Sequence, residues 1–306
     1  MSKSAIKTII ITMGDPKGIG PEIIRKAFQH PGLSRLANFV NIGDKALLKG
    51  IPAGIIDIPY KTPGEGSLKF LEKGVALIKS GIAHALVTAP LSKEAVSRYV
   101  KDFRGHTEYL AEGFGVKRFD MMFICDKVRL SLVTRHVPLK DVPGLITKKA
   151  VFASIELMQE TLQQRFKIRQ PRIAVLGLNP HAGESGLLGR EDAGQILPAI
   201  ERARKQGIKA AGPFPADTFF CCDKGFDGIV AMYHDQGLAP LKGMYFKELV
   251  NFTAGLPFVR TSPAHGTGYD IAGKGIADPS SMIAAIKLAC RLTTPLPNPP
   301  HQGEGK

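Results

Sequence analysis

Tryptophan is absent from this chain of 306 residues, aromatic residues together make up 7%, and there are four cysteines. Cys125, Cys221, Cys222 and Cys290 show no CxxC or other zinc-ribbon spacing, and two of them are adjacent. No disulfide framework is implied, and a reducing, cytoplasmic setting is expected. No stretch reaches about 18 uninterrupted apolar residues, so no membrane-spanning helix is expected. The N-terminal apolar run is short and passes into Gly14-Asp15-Pro16, which is unlike a secretory signal. Acids are scarce as well: 27 Asp and Glu face 41 Lys and Arg, a formal charge of +14. Such a surplus favours anionic partners, whether phosphorylated metabolites, nucleic acid or a membrane surface.

What is present reads as an α/β chain. Ile9-Ile10-Ile11 is a buried strand that ends at Met13-Gly14-Asp15, and Phe39 to Ile42 is a second. Leu68, Leu71, Val75 and Ile78 recur at helical spacing and precede a strand at Ala85-Leu86-Val87. Met121 to Cys125 and Val128 to Thr134 predict a hairpin turning at Asp126-Lys127. Thr147 caps a helix with the stripe Val151, Ile155, Met158 and Leu162; Ile173 to Leu178 and Gly228 to Met232 are further strands. A helix around 190–206 is kinked or restarted by Pro198, and Asp278-Pro279 opens a last helix reaching about Arg291. This alternation predicts a mostly parallel sheet with helices on both faces and some antiparallel strands. The stretch 293–306, with four prolines and no apolar periodicity, reads as a disordered tail.

Chemistry concentrates in loops after strands, where open α/β folds bind ligands. Gly14-Asp15-Pro16-Lys17-Gly18-Ile19-Gly20-Pro21-Glu22 is either a cradle of N–H groups for an anion or a tight connection whose glycines supply unusual angles. His136, His181 and His234 each follow a predicted strand. Converging, they would suit a divalent transition metal; otherwise each is satisfied locally. Lys242, Asn251 and Arg260 are a kit for phosphate or carboxylate, or a solvated basic surface. His106-Thr107 offers an imidazole and a hydroxyl before a helix, and residues 265–275 form a glycine-dense segment that could approach a nucleotide.

Together these segments resemble the 4-hydroxythreonine-4-phosphate dehydrogenase family of vitamin B6 biosynthesis. The resemblance is carried by Thr12-Met13-Gly14-Asp15-Pro16, Val87-Thr88-Ala89-Pro90-Leu91-Ser92-Lys93, Gly105-His106-Thr107-Glu108, Asn179-Pro180-His181-Ala182-Gly183-Glu184, Ala216-Asp217-Thr218 and Tyr233-His234-Asp235-Gln236-Gly237, in family order over roughly residues 8–290. Residues 265–278 also resemble the adenine-nucleotide loop of isocitrate and isopropylmalate dehydrogenases. The segment between Gly43 and Glu65 is shorter than the family's, and the end after Arg291 is unlike it.

The resemblance implies a two-domain α/β/α subunit of the isocitrate/isopropylmalate dehydrogenase-like type, with the active site in the cleft between the domains. Residues 1–108 and 275–292 would form the first domain and 109–274 the second. It implies a homodimer whose metal site is completed across the interface, with His136, His181 and His234 as ligands and His234 donated by the partner. His106, Thr107, Lys242, Asn251 and Arg260 would bind the phosphorylated substrate; His265, Gly266, Thr267, Asp270 and Lys274 would border NAD or NADP. Lys242 is a candidate proton relay or only a charge clamp, Asp235 an orienter or additional ligand, and Asp217 a cleft acid. Zinc, cobalt or magnesium would serve as the metal. The implied reaction is the oxidation and decarboxylation of 4-phosphohydroxy-L-threonine to 3-amino-2-oxopropyl phosphate. Rival substrates are phosphorylated threonate or erythronate and dihydrodiol carboxylates. The non-enzymatic rival is a nucleic-acid-binding protein, but the basic residues are scattered and no nucleic-acid-binding motif is present.

Overall fold

The computed structural model describes residues 7–221 and 225–293. The expected tail, apart from Thr293, lies outside the described residues. The described residues divide into two compact units, one within residues 1–105 and 257–306 and the other within residues 106–256.

The first unit opens with β1 (Thr8–Thr12), α1 (Gly20–Phe28), β2 (Asn38–Gly43), β3 (Gly54–Asp57), α2 (Pro63–Lys79), β4 (Ala85–Thr88) and the short α3 (Lys93–Ser97). The second unit contains α4 (His106–Gly113), β5 (Asp120–Ile124), β6 (Arg129–Leu132), α5 (Val142–Leu145), α6 (Lys148–Gln164), β7 (Arg172–Leu176), α7 (Leu197–Lys205), β8 (Lys209–Phe214), α8 (Ala216–Phe219), β9 (Gly228–Ala231), α9 (His234–Tyr245) and β10 (Val250–Ala254). The chain then returns to the first unit as β11 (Val259–Pro263) and α10 (Ser280–Leu292).

In the first unit the strand order is β3-β2-β1-β4-β11, and all its pairs are parallel. Ile9, Ile10 and Ile11 are fully buried. Such a continuous apolar strand suits a parallel sheet covered on both faces, and each such side chain contributes about 1.5–3 kcal/mol. Thr62 caps α2 by accepting from the Glu65 N–H, with Pro63 behind it in the first turn. α2 packs on β1, β2 and β4, and α10 on β11 and β4.

In the second unit the order is β10-β5-β6-β9-β7-β8. β5 pairs antiparallel with β10 and β6, whereas β6–β9, β9–β7 and β7–β8 are parallel. The predicted hairpin is β5–β6, closed by Cys125 N–H donating to Val128 O at 3.0 Å. Thr147 caps α6 as its sequence predicts, accepting from the Ala150 N–H. The architecture is the expected mostly parallel α/β arrangement with some antiparallel strands.

Some boundaries differ from expectation. The first unit resumes at Pro257, not at 275, because β11 pairs with β4 and so draws residues 265–274 into that unit as well. The helix expected around 190–206 is continuous: a π-type turn at Asp192–Ile196 passes straight into α7, with Pro198 in the first turn of α7. Asp278 accepts from the Ser280 N–H at 2.9 Å, so α10 starts one residue past the expected proline.

Candidate functional site

β6, β9 and β7 are consecutive parallel neighbours in the second unit. His136, His234 and His181 follow their C-terminal ends, the edge at which α/β sheets bind ligands. Thr134 locks the His136 segment to β9: its N–H and its hydroxyl both donate to the Met232 carbonyl, at 3.1 and 2.7 Å. As a result the rings of His136 and His234 lie with centroids 5.6 Å apart. Two imidazoles sharing one ion through nitrogens at about 2.0–2.1 Å have centroids about 5–6 Å apart, so the pair fits two positions of a single metal. Asp235 Oδ1 lies 2.6 Å from His234 Nδ1. That contact fixes the tautomer and leaves Nε2 as the donor atom.

Among the described residues no three His, Cys, Asp or Glu side chains form a metal-holding group. His181 is therefore not joined to the pair within this chain. The resemblance groups His136 with His181; the structure brings His136 together with His234. His181 stands on the turn Pro180–Gly186, where residues 181–185 all have left-handed backbone angles. Left-handed non-glycine residues cost about 1–2 kcal/mol each, and the chain entering this turn is held by a buried carboxylate. Asp192, 2% exposed, accepts from the N–H groups of Leu178 and Asn179 and from Asn179 Nδ2 at 2.8, 3.1 and 2.9 Å. Asp217 is exposed on α8, which packs against this turn.

His106 is half-buried and Thr107 buried at the start of α4. Arg135 connects that helix to the histidine segment: its guanidinium lies 3.9 Å from Glu108 and 3.5 Å from Asp120 and stacks on Phe119. Burial pushes the Asp120 carboxyl up to about 7, against the lowering pull of Arg135 and the Met121 N–H. A carboxyl with a raised folded pKa contributes stability below its unfolded value near 3.8 and loses it as pH rises through about 7. Asp120→Asn should therefore gain on the parent by about 2–3 kcal/mol more at pH 8 than at pH 5. Denaturant unfolding at both pH values measures this, and a difference that does not vary with pH would contradict it.

Lys242 is half-buried on α9, beyond His234, and Asn251 is half-buried on β10 opposite Phe123. α9 lies close on the sheet because Gly237 has no side chain; a Cβ there would meet Leu130 Cδ2 at 2.7 Å. Sequence reading did not single out Arg135, Gln236, Asp120 or Asp192. Gln236 sits within a quoted motif and Arg135 beside His136, but Gly177 and Asp120, which they reach, are brought near only by folding. Asp120 does leave a trace, as a lone acid heading the apolar strand Asp120–Ile124.

The other predicted residues belong to the first unit. Arg260 is 2% exposed on β11 and donates to Thr88 Oγ1 at 2.6 Å, joining two of the motif segments. Residues 265–274 are tied to the first glycine-rich loop: Ile19 N–H donates to Thr267 O at 2.8 Å, and the Tyr269 hydroxyl donates to the buried Asp15 at 2.6 Å. Downstream, Glu22 accepts from the Gly275 and Ala277 N–H groups, and Lys26 donates to the carbonyls of the same two residues. His265 and Thr267 are half-buried, and Gly266, Asp270 and Lys274 are exposed. A cavity of about 360 Å³ opens beside this loop, walled by Tyr269, Asp15, Lys17, Ser92 and Arg98. Its size and its mixed polar and apolar walls suit part of a dinucleotide.

A family model described as pyridoxal phosphate biosynthetic protein PdxA matches residues 35–289. The chain is 41% identical over 314 residues to a 4-hydroxythreonine-4-phosphate dehydrogenase of Sulfurihydrogenibium sp., covering 93% of this chain and 98% of that one. Among solved structures, a 4-hydroxythreonine-4-phosphate dehydrogenase from Klebsiella pneumoniae superposes with a TM-score of 0.85 at 34% identity, covering 96% of this chain and all of the other. An isocitrate dehydrogenase from Methylococcus capsulatus shares the fold, with a TM-score of 0.50 at 16% identity over 92% of this chain and 84% of that one.

Proposed function

This chain belongs to the pyridoxal phosphate biosynthetic protein PdxA family, and from that premise we propose that it oxidises and decarboxylates 4-phosphohydroxy-L-threonine with NAD, yielding 3-amino-2-oxopropyl phosphate. The observation that carries this reading is the adjoining His136–His234 pair beyond neighbouring parallel strands. An NAD molecule supplies the hydride acceptor, and a zinc, cobalt or magnesium ion, when bound, supplies a Lewis acid that acidifies the substrate hydroxyl and steadies charge developing as CO2 leaves.

The chain's own residues do the rest. His136 and His234 hold the ion, and neutral imidazoles do so without cancelling its charge. Asp235 orients His234. We assign the third imidazole to His181 of a second copy of the chain, in a homodimer, because within one chain it is His234 that adjoins His136. This reverses the assignment implied by the resemblance. His106, Thr107, Asn251 and Arg260 bind the substrate, with Arg260 as phosphate clamp; anchoring the unreactive end positions the carbinol carbon. Lys242 carries the proton released from the hydroxyl. Residues 265–274 bind the dinucleotide, a role supported by the cavity beside Tyr269.

The test is NADH formation from 4-phosphohydroxy-L-threonine, with phosphorylated threonate, phosphorylated erythronate and a dihydrodiol carboxylate as competitors ranked by kcat/KM. Chelation should lower turnover by about a hundredfold or more, and returned metal should restore it. Full turnover after complete metal removal, or a higher ranking for a competitor, would overturn the corresponding part of the proposal.

A further inference from the structure

β9 carries the His234 segment, and its neighbour β7 carries the turn bearing His181. The two strands pair in register from Ile173↔Gly228 to Val175↔Val230. Beyond that point the carboxamide of Gln236 stands between them. Its Oε1 accepts from the Met232 N–H at 2.7 Å, and its Nε2 donates to the Gly177 carbonyl at 2.6 Å. A side-chain amide thus takes the place of one peptide group between two strand ends. It holds them wider apart than a direct hydrogen bond of about 2.9 Å would. On its other side Met232 is fixed directly, its carbonyl accepting twice from Thr134.

We propose that Gln236 is a positioning residue for the metal-holding histidines, fixing on each chain both the His234 segment of its own site and the His181 turn that it gives to the site of the second copy. The inference rests on the reading of these histidines as metal ligands. The chemistry of the spacer is specific: it needs an acceptor facing an N–H and a donor facing a carbonyl on one planar group. The glutamine carboxamide offers both without charge, as asparagine does with shorter reach. A glutamate there would turn a carboxylate oxygen toward the Gly177 carbonyl, and a methionine would leave both backbone groups unbridged. The Gly177 N–H is already committed to Phe214 O at 2.8 Å, so the strand end cannot simply swing to a new partner.

The test uses the full-length protein stripped of metal and titrated with cobalt(II), whose visible absorption reports ligand geometry. Gln236→Met and Gln236→Glu should each bind cobalt about tenfold to a hundredfold more weakly than the parent. The cobalt band should change shape, while the metal-free proteins still unfold cooperatively above the assay temperature. Parental affinity and an unchanged band in both variants would overturn the inference, as would loss of the folded state in both, which would make Gln236 a residue of the fold alone. If glutamate alone prevents folding, the methionine variant decides. Failure of the parent itself to bind cobalt would instead bring down the metal reading, and the parent titration separates that outcome from the others.

Discussion

Two inactive variants, His136→Ala and His181→Ala, should regain activity when their chains are mixed and allowed to exchange. On the proposed ligand set each alone loses one of three ligands and should fall by at least about a thousandfold in kcat/KM. In a two-fold dimer with His181 given across the interface, a mixed pair contains one site with all three histidines intact and one lacking two. Random exchange makes half the dimers mixed, so about a quarter of parental activity should return. Mixing His136→Ala with His234→Ala should restore nothing if the adjoining rings, 5.6 Å apart in one chain, serve the same site as proposed. If His234 were the donated ligand, the two results would exchange places. Activity measured after mild denaturation and co-refolding of each pair decides between them.

Gly14→Ala should cost about 3–5 kcal/mol and lower the thermal midpoint by about 5–8 °C. Gly14 has a φ of +71, and a Cβ there would lie 2.2 Å from Pro90 O and 2.7 Å from Ala89 O. Both obstacles are backbone, so neither can rotate aside. The same contact brings the Asp15 N–H to Pro90 O at 2.9 Å, which locks the first motif to the second. The informative control is Gly32→Ala, with a φ of +79 and nothing within 4 Å of the added atom. It should lose only the left-handed penalty of about 1 kcal/mol. Equal losses at the two positions would show that close packing of the motifs is not what Gly14 provides.

Such contacts explain why the fold and the site were unequally legible in sequence. β1 was plain because three consecutive isoleucines bury on both faces. α9 was not, because Gly237, Pro240 and Gly243 interrupt any helical pattern, although Gly237 is what lets the helix lie on Leu130. β11 was hidden by its own composition, since Val259–Pro263 buries an arginine, a threonine and a serine. That concealment also misplaced the return to the first unit. Each histidine could be seen to follow a strand, yet which two adjoin depends on lateral order. β9 lies between β6 and β7, so His136 meets His234, the more distant of its two partners along the chain. The hydrogen bonds that Asp192 accepts, and those that Arg135 and Gln236 donate to distant carbonyls, leave no pattern in the sequence at all.

The division of the first unit into two stretches of chain has a bearing on biosynthesis. A ribosome delivers residues 106–256, and with them every strand of the second unit, before β11 and α10 emerge. Until then β4 has β1 on one side and nothing on the other, and the apolar strand Ala85–Thr88 stands as a bare edge of the nascent sheet. The second unit is therefore complete in the nascent chain first, and the interval before β11 emerges is when the β4 edge is most open to edge-to-edge pairing.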